Sequence, residues 1–120
     1  MKYFFDTYAI IEIIAKNENY EKYNEEEIVT SILNAGELYY SLLREKGEKT
    51  ADFWHDELKQ SSIMVDIEIV KKAMKFRFEN KNKNLSFIDC VGYIIAKERN
   101  LKFLTGDKEF EGMENVEFVK

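Results

Sequence analysis

Four acids stand beside apolar runs: Asp6 closes "KYFF", Glu37 sits in "LNAGEL", Asp89 in "LSFIDC", and Asp107 follows "LKFLTG". Carboxylates are hard oxygen donors, and a group of them attracts a cation that in turn attracts phosphate. That route matters because the formal net charge is -5 and the pI near 5.0. Such a balance argues against capture of nucleic acid by a broadly basic surface. Each acid also has a purely local explanation. Ser86 with Asp89 has capping-box spacing, as does Asn34 with Glu37; Asp6 suits the N-cap of a helix starting at Thr7; and "TGDK" reads as a turn. Four independent caps have no reason to gather at one place, whereas a cation site requires it.

The elements that would gather them alternate along the chain. "KYFF", "IVT", "SIMV", "LKFLT" and "VEFV" read as short apolar strands. "TYAIIEIIAK", "LNAGELYYSLLREKG", "TADFWHDELKQ", "DIEIVKKAMKFRFE" and residues 86–99 read as helices, the second with an apolar face of Leu33, Leu38, Leu42 and Leu43 ending at Gly47. "NENYEKYNEEE" and "NKNKN" read as polar connections. Short apolar strands separated by helices predict an α/β fold, a parallel sheet covered by helices. Crossovers of one hand bring every strand's C-terminal end to the same edge, where ligands bind. Asp6 and Asp107 follow strand ends at that edge, and Glu37 lies in the first turns of a helix leaving it. Asp89 joins them if the helix of residues 66–79 carries the chain back to the edge. Two helices between the third and fourth strands allow that extra reversal.

The absence of proline, repeats and low-complexity blocks leaves no seam, so residues 1–120 read as one domain. With 45% hydrophobic residues, the chain can bury a real core. Cys90 is the single cysteine, which excludes an intrachain disulfide and a cysteine-only zinc site and suits a reducing interior. The opening "MKYFFDTYAIIEII" is too acidic for a signal peptide, and no apolar run reaches the roughly 18 residues of a membrane span. A cytoplasmic protein without a membrane partner is expected.

"FFDT", the acid of "LNAGEL", "LSFIDC" and "FLTGDKEF", in this order, resemble the acidic motifs of the PIN-domain nucleases, and most of all the small VapC-like toxins of toxin–antitoxin pairs. The resemblance runs from Tyr3 to Val119. It implies a three-layer α/β/α fold with a mainly parallel sheet of four or five strands. Asp6, Glu37, Asp89 and Asp107 would be its acidic quartet, holding Mg2+ or Mn2+, with Thr105 as the neighbouring hydroxyl. It also implies an RNA substrate cut to a 5′-phosphate and a 3′-hydroxyl, a cognate antitoxin and a homodimer. Tyr8, Cys90 and Gly92 depart from the usual pattern, which bears on the mouth of the pocket.

Other residues carry less. His55 is the lone histidine, so a ribonuclease built on a histidine pair is excluded, and its helix is expected on the outer layer. Cys90 reads as a small buried residue. Tyr39, Tyr40, Phe53 and Trp54 suit core packing or a partner surface. Lys71, Lys72, Lys75 and Arg77 are the best place for phosphate contacts in so acidic a chain. A haloacid-dehalogenase-like phosphatase would also begin with an acid after a strand, but its second aspartate is missing from "DTY". A PIN-like binding module and an RNA-processing nuclease outside a toxin system are the remaining alternatives.

Overall fold

The computed structural model describes residues 2–120. Strands β1 (Tyr3–Phe5), β4 (Lys102–Thr105) and β5 (Val116–Phe118) form a parallel sheet in the order β1-β4-β5. β2 (Thr30–Ser31) and β3 (Ser62–Ile63) form a second parallel pair. A parallel bridge between Phe4 and Val29 joins the two, and the Phe5 N–H donates to the Val29 carbonyl at 2.8 Å. Five strands therefore run one way, in the spatial order β3-β2-β1-β4-β5, as the alternation of elements predicts.

The pleat sorts side chains to two cores. Phe4 and Phe103 face one core with Ala73, Cys90, Val91 and Tyr93, on the side of helices α4 (Ile67–Glu79) and α5 (Phe87–Glu98). Phe5 and Leu104 face the other, with residues of α1 (Thr7–Ile14), α2 (Ile32–Lys46) and α3 (Glu48–Leu58). Successive residues of a strand point to opposite faces, so two-residue runs such as "FF" and "FL" suffice to bury both. The result is three layers. Gly92 belongs to this packing: a Cβ there would lie 2.8 Å from the Phe4 ring and 3.1 Å from that of Phe103. Gly92 and Cys90 are thus core residues of α5 and do not shape a pocket mouth.

α4 and α5 pack antiparallel, with Lys72 paired to Glu98 and the Phe76 ring stacked on Tyr93 at 4.7 Å. α4 therefore runs toward the strands' C-terminal edge and α5 starts there, the reversal that the position of Asp89 requires.

Three local expectations need correction. Leu43 is 40% exposed, so the buried face of α2 is narrower than the four leucines suggest. The N-cap of α2 is Ser31, whose Oγ accepts from the Leu33 and Asn34 N–H groups at 3.2 Å; Asn34 is not the cap. The polar stretch after α1 contains a 3-10 helix, Glu18–Tyr23, that buries Tyr20 and Tyr23 against the second core. The Tyr20 hydroxyl donates to the Val119 carbonyl and that of Tyr23 to Glu117, tying the segment to the end of β5.

Candidate active site

At the C-terminal edge of the sheet, Asp6, Glu37, Asp89 and Asp107 line a single cleft. Each arrives by a separate piece of local chemistry. Asp6 ends β1 and caps α1, its Oδ1 accepting from the Ala9 N–H at 2.8 Å, and it is only 2% exposed. Asp89 occupies the first turn of α5, where its N–H donates to the Ser86 cap at 3.1 Å. Asp107 follows β4, and its Oδ1 accepts from the Glu109 N–H at 3.0 Å at the start of a short 3-10 turn, Lys108–Phe110.

Glu37 differs from the other three. The cap of α2 lies six residues earlier at Ser31, so Glu37 plays no part in closing that helix end. Asn34, the other half of the expected box, is fully buried. It accepts the Ser31 hydroxyl at 2.7 Å and donates to Thr7 Oγ1 at 3.1 Å, fastening the start of α2 to the start of α1. This buried polar link fixes the relative placement of Asp6 and Glu37.

Thr105, the last residue of β4, is buried between two of the acids. Its hydroxyl oxygen accepts from the Asp107 N–H at 3.0 Å, and the hydroxyl favours the ionised form of the Asp6 carboxyl. Even so, burial pushes the Asp6 carboxyl up to about 8, with the charges of Asp89 and Asp107 adding and the bonds from Thr105 and Ala9 opposing. Burial likewise raises Asp89 to about 6, opposed by its bond with Ser86 and reinforced by Asp107 and Glu37. Among the described residues, none of the four acids is in an ion pair.

Crowded, buried and unpaired carboxylates are the setting in which a cation removes a conflict. As they stand, the acids share the walls of the cleft without converging on one point. Among the described residues, no three Asp, Glu, His or Cys side chains form a ready ligand set. The donor chemistry nevertheless fits a hard divalent ion, since the groups are all carboxylates and burial makes Asp6 and Asp89 costly to ionise without a cation beside them.

Tyr8 forms part of the cleft wall and packs hard on Gly106: a Cβ at residue 106 would fall 2.2 Å from the Tyr8 ring and 2.6 Å from the Val119 carbonyl. The departure at Tyr8 is therefore accommodated by glycine between Thr105 and Asp107. The Lys120 ammonium lies 5.8 Å from the centre of the Tyr8 ring, also on the cleft.

Other candidates lie elsewhere. His55 is exposed, approaches Asp56 at 3.2 Å and lines a separate groove between α2 and α3. Cys90 is fully buried, its thiol pushed up to about 11 by burial, as a packing residue requires. Lys71, Lys72 and Lys75 do not reach the cleft. Sequence reasoning missed Asn84, Lys108, Glu109 and Lys120, which do. Lys108 and Glu109 directly follow Asp107 in "GDKEF" and were open to notice on that ground; Asn84 and Lys120 carried no signal short of the fold.

The fold agrees with what comparison finds. The chain belongs to the PIN-domain family, whose model matches residues 3–116. This also decides against the haloacid-dehalogenase-like alternative. No match is found among curated proteins. Among solved structures, the chain is similar to VapC20 of Mycobacterium tuberculosis, a toxin described as cleaving the sarcin-ricin loop, with a TM-score of 0.81 and 16% identity over 99% of this chain and 100% of that one. A toxin–antitoxin complex from Klebsiella pneumoniae gives a TM-score of 0.75 and 17% identity over 97% and 96% of the two chains. VapBC2 of Rickettsia felis, bound to a promoter DNA fragment, gives 0.71 and 18% over the whole of both. At such identities the likeness is one of fold. Among the described residues, no helix is long and apolar enough to cross a membrane.

Proposed function

We propose that this chain is a cytoplasmic, metal-dependent endoribonuclease, the toxin of a toxin–antitoxin pair, and that residues 1–120 form one PIN domain. The observation that carries the reading is Asp6, a carboxyl buried at 2% exposure among other acids and with no cation paired to it. Its cap of α1 uses only one oxygen, and burying an acid among acids is costly to stability.

In this reading Asp6, Asp89 and Asp107 would hold Mg2+ or Mn2+, directly or through water, and Glu37 would bind metal or orient the attacking water. Bound metal supplies positive charge for the scissile phosphate and a more acidic water for attack. The chain's own contribution is placement. Thr105 holds the backbone of Asp107 at the end of β4, and Asn34 holds the helix carrying Glu37 against the one that Asp6 caps. Attack on phosphorus with departure of the 3′-oxygen leaves a 5′-phosphate and a 3′-hydroxyl. The exposed Tyr40, Leu43 and Phe53 on α2 and α3 suit protein partners, an antitoxin and a second copy of the chain.

A second reading has an observation in its favour: Asp6 and Asp107 do serve as caps and the Asp89 N–H donates to the cap of its own helix, Ser86, as in a non-catalytic PIN-like interaction module. The two readings separate on metal. A structured RNA is incubated with purified protein in Mn2+, Mg2+ or EDTA, beside Asp89→Asn. Cutting that needs metal and disappears in the variant supports the nuclease. No cutting by folded parent protein in either metal supports the interaction module, or a very narrow RNA target.

A further inference from the structure

The chain's basic residues do not form a broad surface, but three of them meet in one place. Arg77, Lys81 and Lys83 line a groove at the end of α4 together with Phe78, which is 68% exposed. No acidic residue lines this groove. Among the described residues, none of the three cations is engaged in an ion pair, whereas Lys72, further back on the same helix, is neutralised by Glu98. The phosphate contacts expected of Lys71, Lys72 and Lys75 thus move to the other end of the run, with only Arg77 retained.

The groove is continuous with the acid cleft. Asn84 lines both, its N–H donating to Glu109 Oε1 at 3.0 Å, and the Lys83 ammonium donates to the Glu109 carbonyl at 3.3 Å. Phe78 is a large apolar ring left in water at the centre of this positive region, with the Lys81 ammonium 4.7 Å from its centroid. A ring flanked by cations is the pairing that proteins use on single-stranded nucleic acid: cations track the phosphates and the ring stacks a base.

We infer that the groove of Arg77, Phe78, Lys81 and Lys83 is a docking track for single-stranded RNA, which passes over Asn84 to bring a phosphate to the acid cleft. The inference rests on the nuclease reading for its direction of travel, but binding can be tested apart from cleavage. A duplex does not fit the track, because its bases are already stacked and unavailable to Phe78. The track also accounts for how an acidic protein approaches a polyanion: the repulsive cleft is entered from a local positive flank.

The test is fluorescence anisotropy of a labelled mixed-sequence single-stranded oligoribonucleotide with the full chain in EDTA, across a salt series. Compared are the parent, Phe78→Ala, Arg77→Ala with Lys81→Ala, and Lys49→Ala as a charge removed elsewhere. Phe78 and Lys81 are exposed, so these variants fold, which circular dichroism checks. Phe78→Ala is expected to weaken binding about tenfold. The double variant is expected to lower the slope of log affinity against log salt by about 0.7 for each phosphate that is no longer neutralised. Lys49→Ala should match the parent, and a duplex of the same length should bind more weakly. No binding by the parent, or equal binding by parent and groove variants, overturns the track. Groove-dependent binding by a protein that cuts no RNA in Mg2+ or Mn2+ keeps the track and moves the function to the interaction module or to a very narrow RNA target instead.

Discussion

Asp6 and Asp66 perform the same local task in opposite surroundings. Each is the N-cap of a helix and each accepts from the N–H three residues on, at 2.8 Å for Asp6 and 3.0 Å for Asp66. Asp66 starts α4 in water, with nothing asked of its second oxygen. Asp6 starts α1 at the bottom of a cleft, where its carboxyl meets Thr105 and the fields of Asp89 and Asp107. Capping and chemistry are therefore not competing explanations of an acid. A cap uses one oxygen and fixes the side chain, and what surrounds the other oxygen decides whether the residue has a second role.

The sharpest way to break this comparison is to replace both acids in turn. Asp6→Asn keeps the shape and an oxygen for the Ala9 N–H but removes the charge. RNA cleavage should fall by more than the roughly 10–100-fold that loss of an outer-shell partner costs a metal site. Stability should move the other way. The unfolded carboxyl loses its proton near 4 and the folded one near 8, so between those values the native state alone carries the proton. Each pH unit of rise through that window then costs the metal-free parent about 1.4 kcal/mol from this group. Thermal melts in EDTA should show Asp6→Asn overtaking the parent as pH climbs from 4 to 8, and no crossing would mean that Asp6 is not held protonated. Mg2+ should narrow the gap by stabilising the parent's carboxylate.

A smaller effect is expected at Gly106. Alanine there must displace both the Tyr8 ring and the Val119 backbone, and forced overpacking of this kind costs about 1–3 kcal/mol. Denaturant melts of Gly106→Ala measure it, and a paired Tyr8→Ala should recover part of the loss. Smallest is Asp66→Ala, where only a cap is lost, about 1 kcal/mol, with cleavage at the parent rate. A drop in cleavage for Asp66→Ala comparable to that for Asp6→Asn would erase the distinction between the two caps.

The same contrast shows what could be read ahead of the fold. Strands and helices were legible because apolar period and Gly47 mark them, and the acids were legible because each follows an apolar run. Asn34 and Glu37 were not separable by spacing. The three-residue interval fits a capping box, and only tertiary burial shows that Asn34 bonds to Thr7 while Ser31 does the capping. Residues 18–23 were hidden for a different reason. Tyr20 and Tyr23 lie three apart, the 3-10 period, but stand among charged and amide residues that imitate a solvated link. The groove of Arg77, Lys81 and Lys83 was half visible as a basic run. Its extent depended on where α4 ends, and so on which lysines face water and which face Glu98.

The end of β5 has a practical side. Val119 and Lys120 stand beside Tyr8 and Gly106, so a purification handle fused after Lys120 would emerge next to the carboxylates and compete with whatever enters there. Lys2 leads into β1 from the other rim of the parallel sheet, with its carbonyl bonded to the Lys102 N–H. A handle placed before it departs on the far side from the cleft. Assays that find this protein inert or metal-blind should first be repeated with the fusion at that rim.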